Sequence, residues 1–86
     1  MQGRITDESL KRRVRNYLLI MLSRKGIDFA ELCRVHNEDY NNLYSRAMNQ
    51  SGIDLEHINY VLKLANYTHR VDFINGDFCE VYKSKL

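Results

Sequence analysis

Polar side chains able to bond the edges of bases are concentrated in the segment 40–49. Four of them recur at spacings that bring them to one side of a helix: Asn41, Asn42, Ser45 and Arg46. No Asp or Glu occurs from residue 40 to residue 53, so the segment does not repel a phosphate backbone. Asn bonds adenine N6 and N7 in a bidentate way, and Arg does the same with guanine O6 and N7. The four residues are therefore predicted to contact bases in the major groove of DNA.

Basic residues are concentrated at the start of the chain. Residues 1–25 hold seven Lys or Arg against two Asp or Glu, whereas the rest of the chain is mildly acidic and the net charge is +2. Such a patch favours a polyanionic partner, although a solvated helix face explains the composition equally well. Together with the polar segment, the patch predicts contacts to DNA phosphates from six residues: Arg12, Arg13, Arg15, Tyr40, Tyr44 and Asn49.

Four helices are needed to position these side chains. Apolar residues recur at helical spacing in four segments, and each segment begins near an Asp that can accept the first free backbone N–H groups. The predicted helices are residues 8–25, 29–36, 40–49 and 55–66. The second and third are short and are joined by a tight turn, which is the spacing of a helix-turn-helix.

The C-terminal segment changes to the period of β-strands. Two β-prone runs flank Asn75-Gly76, a dipeptide typical of a two-residue hairpin turn. Residues 69–83 are therefore predicted to form a β-hairpin, in either of two registers. A two-residue loop leaves Glu80 among the apolar residues of one face, whereas a three-residue bulged loop removes it from them.

Residues 18–66 resemble the Cro/cI-type helix-turn-helix family of phage and bacterial repressors. The likeness lies in Phe29-Ala30-Glu31-Leu32, in Asn42-Leu43-Tyr44-Ser45-Arg46 and in residues 55–65. It implies one mainly α, lambda-repressor-like domain over residues 1–86, with four helices in residues 7–66 before the hairpin. It also implies a small transcriptional regulator, a repressor of phage or mobile-element type, that binds double-stranded DNA. Glu38 departs from the family pattern, which has an apolar residue in the turn, and Tyr40 is expected to fill that place.

Candidate metal ligands and catalytic groups are scattered through the sequence. Cys33 and His36 lie three residues apart on one predicted helical face, and His57, His69 and Cys79 are the candidates for completing a zinc site. A structural zinc site usually shows a second close ligand pair, which this sequence lacks, so no metal or other cofactor is predicted. No nucleophile elbow or phosphate-binding loop occurs. We therefore predict neither an enzyme nor a small-molecule substrate.

The sequence predicts a cytoplasmic protein that does not contact a membrane. The longest apolar run, residues 17–22, is much shorter than the roughly 20 residues of a membrane span. The N-terminal residues are polar, and two cysteines are too few for the disulfide scaffold of a small secreted domain.

Several apolar residues lie outside the predicted core stripes of their helices: Leu19, Ile20, Tyr60 and Leu64. Exposed apolar clusters and the free edge of a hairpin usually mark interaction surfaces, so a homodimer is predicted. An alternative function follows from the same surfaces. The helices would then serve a protein-binding adaptor or antirepressor that does not contact DNA.

Overall fold

The chain forms four helices and two pairs of short antiparallel strands. The structure is a computed structural model, and it describes residues 4–5, 7–48 and 53–82. The elements in chain order are β1 (Arg4–Ile5), α1 (Glu8–Arg24), α2 (Phe29–Val35), α3 (Tyr40–Met48), β2 (Ile53–Asp54), α4 (Leu55–Leu64), β3 (Arg70–Ile74) and β4 (Asp77–Val81). The predicted mainly helical chain with a C-terminal hairpin is therefore confirmed.

The helices begin at the predicted capping residues. The Asp7 carboxylate accepts a hydrogen bond from the Leu10 backbone N–H at 3.0 Å, and Asp28 accepts one from Glu31 at 2.8 Å. These bonds satisfy backbone donors that have no partner within the helix. Asp54 was also predicted to cap α4, but its carboxylate makes no capping bond to that helix. It lies instead 3.3 Å from Nδ1 of His57.

The core lies where the apolar stripes of all four helices meet. The residues that contribute are Leu10, Val14, Leu18, Met21, Leu22, Phe29, Leu32, Cys33, Leu43, Ala47, Ile53, Leu55, Ile58, Val61, Leu62, Ala65 and Val71. Leu64, predicted to lie off the stripe of α4, is partly buried against this cluster. Among the described residues, no helix has the length and apolarity required to cross a bilayer.

The hairpin has the two-residue loop. Asn75 and Gly76 both have positive φ, as a type I′ turn requires, and Ile74 pairs with Asp77. In this register Val71 lies opposite Glu80. The outer edge of β3 is held by α4, because the Asn59 side chain both accepts from the Val71 N–H at 2.7 Å and donates to the Val71 carbonyl at 3.0 Å.

The pairing of β1 with β2 was not predicted from the sequence. Arg4 lies opposite Asp54, and Ile5 lies opposite Ile53. The pairing brings the chain before α1 to the segment that enters α4. Two residues per strand are too few to show the alternation that identifies a strand in a sequence.

Candidate nucleic-acid interface

The turn between α2 and α3 fixes the direction in which α3 leaves the core. Asn37 has a φ of +58°, which ends α2, and the Glu38 N–H donates to the Cys33 carbonyl at 2.8 Å. Asn adopts this left-handed conformation more readily than most residues. Asp39 then starts α3, because its carboxylate accepts from the Asn41 N–H at 3.2 Å. The predicted arrangement of two short helices around a tight turn is present.

The predicted base-contacting residues share the outer face of α3. Its inner face is held in the core by Leu43 and Ala47, and the four predicted residues are exposed: Asn41, Asn42, Ser45 and Arg46. Arg46 Nε donates to Asn42 Oδ1 at 3.0 Å. This bond occupies one acceptor of Asn42 and orients the guanidinium along the helix surface. The amide N–H₂ group of Asn42 is not used in that bond.

An aromatic cluster forms one flank of this face. The rings of Tyr40 and Tyr44 stack with centroids 5.5 Å apart, and both pack edge-on against Phe29 of α2. Tyr40 at the start of α3 therefore packs on α2 through its contact with Phe29. Both tyrosines remain about 40% exposed and lie beside the polar face, where their hydroxyls can meet a phosphate.

A groove of about 580 Å³ forms the other flank, between α3 and α4. Asn42 and Arg46 line it from α3, and Tyr60 and Lys63 line it from α4. At one end the Tyr60 hydroxyl donates a hydrogen bond to Glu38 of the turn. This bond raises the pKa of the Tyr60 phenol, because the carboxylate favours the protonated hydroxyl.

Glu38 and Tyr60 are each unexpected residue types in their own segments, and they form a hydrogen bond with each other. Glu38 stands where an apolar turn residue is expected, and Tyr60 lies off the core stripe of its helix. Their hydrogen bond joins the turn to α4. Of the groove residues Tyr60 and Lys63 on α4, Tyr60 was named from the sequence as one of the off-stripe apolar residues that predict a homodimer, whereas Lys63 was not named.

The three arginines of α1 that are predicted to contact phosphates have different surroundings. Arg12 is exposed, whereas Arg15 is partly buried. Arg13 forms a 2.9 Å ion pair with Asp77 of the hairpin and lies 5.7 Å from the ring centroid of Phe78. This partner holds the pKa of the Asp77 carboxyl below its usual value. The phosphate contacts of all three arginines remain predictions, and Arg13 has a second role in holding the hairpin.

The remaining residues named from the sequence are those without a described structure and the candidate metal ligands. Asn49, predicted to contact a phosphate, lies outside the described residues, as does residue 83 at the end of the predicted hairpin. The candidate zinc ligands Cys33 and Cys79 are both free, one buried and one exposed. Burial raises the pKa of the Cys33 thiol. Within the described ranges, no three His, Cys, Asp or Glu side chains come together as a metal site.

Comparisons of this chain with models of protein families, with curated proteins and with solved structures found no match.

Proposed function

We propose that this protein binds double-stranded DNA in a sequence-specific manner, with α2 and α3 acting as a helix-turn-helix. The observation that carries the proposal is the exposed outer face of α3, which is polar and free of acids and stands away from the core. We further propose that the protein is a dimeric transcriptional regulator of the cytoplasm, and a repressor of the phage or mobile-element type that its sequence resembles.

The dimensions of α3 suit the major groove. An α-helix with its side chains is about 10–12 Å across, and the major groove of B-DNA is about 12 Å wide. Entry of α3 places Asn41, Asn42 and Ser45 against the base edges. An exposed Asn offers a donor and an acceptor on one planar amide, which is the pattern needed for a bidentate bond to adenine.

The two flanks of α3 then face the two walls of the groove. Tyr40 and Tyr44 lie on one side with their hydroxyls available to phosphate oxygens, and Arg46 lies on the other. Arg46 is positioned to bond either a guanine or a phosphate, because it runs along the edge of the polar face. Arg12 and Arg15 add positive charge from α1, which attracts the DNA backbone without selecting a sequence.

The dependence of affinity on salt tests the proposal. Neutralising phosphates releases bound counterions, so log K falls with log salt concentration by about 0.9 for each phosphate contacted. We expect a steep slope for the wild-type chain on duplex DNA, measured by fluorescence anisotropy. An affinity for duplex DNA that does not change with salt concentration, or no binding at low salt, would contradict the proposal.

One observation favours the alternative of a protein-binding adaptor. Leu19 and Ile20 on α1 are 48% and 53% exposed, although both are large and apolar. Leu19 also lines a shallow depression of about 320 Å³ together with Ile27 and Phe29. An adaptor that uses this surface would show no salt-dependent affinity for duplexes, so the same titration separates the two functions.

A further inference from the structure

Four charged side chains around the groove between α3 and α4 form no ion pair with any other described residue. They are two acids and two bases: Glu38, Glu56, Arg46 and Lys63. Elsewhere in the described ranges some exposed charges are paired within the chain, as in Arg13 with Asp77 and Arg34 with Glu31, and others, such as Arg12, are not. The groove therefore presents both signs of charge in positions where an outside partner can meet them.

The exposed face of α4 has a pattern that is complementary to itself. Glu56, Tyr60 and Lys63 follow one another along this face, with an acid at one end, an aromatic ring near the middle and a base at the other end. The rise of 1.5 Å per residue separates the two charges by about 10 Å along the helix. Reversing the direction of the helix exchanges the acid and the base while the ring stays near the centre.

We propose that a second copy of this chain docks on this face, with the two α4 helices crossing in antiparallel directions about a two-fold axis near Tyr60. The proposal rests on the dimer proposed above and assigns its interface. In a two-fold interface the same patch meets itself, so Glu56 of each protomer faces Lys63 of its partner. Both ion pairs are then favourable, which no parallel arrangement of the same face provides.

The neighbouring features fit this arrangement. Tyr60 is 38% exposed, so its ring can be buried further at the axis while its hydroxyl stays bonded to Glu38. Because Arg46 and Asn42 line the other wall of the groove, the interface lies next to α3. Each protomer therefore brings its recognition helix into one rigid assembly.

Charge reversal in mixed dimers tests the interface. We would make Glu56→Lys and Lys63→Glu as separate chains and measure their self-association by sedimentation over a range of concentrations. Each variant alone places like charges opposite each other twice, so its dimer dissociation constant should rise by about tenfold or more. In an equimolar mixture, both contacts of the mixed dimer join a base of the Glu56→Lys chain to an acid of the Lys63→Glu chain. The mixture should therefore recover association close to that of the wild type.

The controls keep the result interpretable. Glu31→Lys reverses an exposed charge on α2 and should leave association unchanged. Circular dichroism would verify that both α4 variants are folded, as expected for exposed positions. A monomeric wild-type chain, single variants that still dimerise, or a mixture that stays monomeric would each overturn the proposed interface.

The outcome is separable from that of DNA binding. A wild-type chain that shows the charge-reversal pattern but no affinity for duplexes keeps this interface and refutes the proposed function. Steep salt-dependent binding to duplex DNA, together with a dimer dissociation constant that neither substitution changes, supports the proposed function and refutes this interface.

Discussion

The Tyr17 hydroxyl donates a 2.6 Å hydrogen bond to Oε2 of Glu80 and so joins the longest helix to the last strand. The same hydroxyl oxygen lies 2.7 Å from Nε2 of the buried His69. Since its proton is directed to Glu80, the oxygen is left to accept from the imidazole N–H. The Tyr82 hydroxyl donates to the other oxygen of Glu80 at 2.9 Å. Of these bonds, the one from Tyr17 to Glu80 attaches the hairpin to α1.

We expect Tyr17→Phe to destabilise the protein by about 1–3 kcal/mol, because it removes a hydrogen bond to a charged acceptor and also the acceptor of the buried His69 N–H. Urea denaturation of Tyr17→Phe, Glu80→Gln and the double variant measures the coupling between the two residues. Tyr82→Phe is the matched control, since it removes the more exposed of the two hydroxyls that bind Glu80, and its effect should be smaller. Additive losses for Tyr17 and Glu80 would show that the bond does not stabilise the fold.

The contacts of two carboxylates, Glu80 and Asp77, predict that the protein loses stability in acid. The Tyr17 hydrogen bond holds the pKa of Glu80 below its ordinary value of 4.5, and the Arg13 hydrogen bond holds that of Asp77 below 3.8. The folded state therefore binds these protons less tightly than the unfolded chain does. Their contribution is present above the ordinary pKa values and is lost as the pH falls through the lowered ones.

We therefore expect the free energy of unfolding of the wild type to decline as the pH falls below 4.5. Glu80→Gln should be less stable near neutrality and should lose less of its stability on acidification. Urea denaturation across this pH range measures both curves. Parallel curves for the two chains would contradict a stabilising role for the ionised Glu80 carboxylate.

Lys11 is a buried cation whose stem is enclosed by the core. Its side chain is 2% exposed, and Nζ lies 3.1 Å from Oε2 of the exposed Glu8. Taking an ammonium group out of water costs free energy that one exposed partner offsets incompletely. Lys11→Met keeps most of the volume without the charge, so it should be neutral or stabilising by about 1–2 kcal/mol. Lys11→Ala should destabilise by about 1–3 kcal/mol through lost packing.

Thermal denaturation of Lys11→Met against the wild type measures the effect of the charge. Comparison of Lys11→Met with Lys11→Ala measures the effect of the packing. Glu8→Gln serves as the complementary change, because it leaves the buried ammonium without its carboxylate and should lower stability. A Lys11→Met protein that loses as much stability relative to the wild type as Lys11→Ala does would show that the ion pair, and not the burial of the stem, stabilises the start of α1.

We expect different substitutions to affect the recognition of bases and the binding of phosphates separately. Asn42→Ala is expected to relax the preference at one base pair by about 1–3 kcal/mol and to leave the salt slope unchanged. Arg12→Ala should weaken binding to all duplexes alike and reduce the slope by about one. Titrations on several duplexes at different salt concentrations measure both quantities. Arg34→Ala, which removes an arginine paired with Glu31 on α2, is the control for a nonspecific loss of charge.

The sequence predicted the elements better than the contacts between them. Each predicted helix is present, with ends that differ by up to two residues at its C-terminal end within the described ranges, because periodicity and Asp caps are local signals. The register of the hairpin was not decided by local pattern. An acid on the apolar face is favourable here because Tyr17, which lies 63 residues away in the chain, donates to Glu80. Such a partner cannot be identified from the spacing within the hairpin.

In the candidate site too, the sequence predicted the local features and did not predict the contacts between elements. The exposure of Asn41, Asn42 and Ser45 follows from helical spacing alone and was predicted. The hydrogen bond between Tyr60 and Glu38 depends on how α4 packs against the turn, and each residue looked anomalous in its own segment. Arg13 was grouped with its neighbours by charge, whereas its distance to Asp77 depends on where the hairpin docks.

Selection from random duplexes tests the central claim, that the outer face of α3 reads DNA sequence, most directly. The wild-type chain should enrich one sequence family, and a chain with Asn41, Asn42 and Ser45 all changed to Ala should enrich none while keeping its salt-dependent affinity. Enrichment of the same sequences with the same affinity by the triple variant would contradict the account.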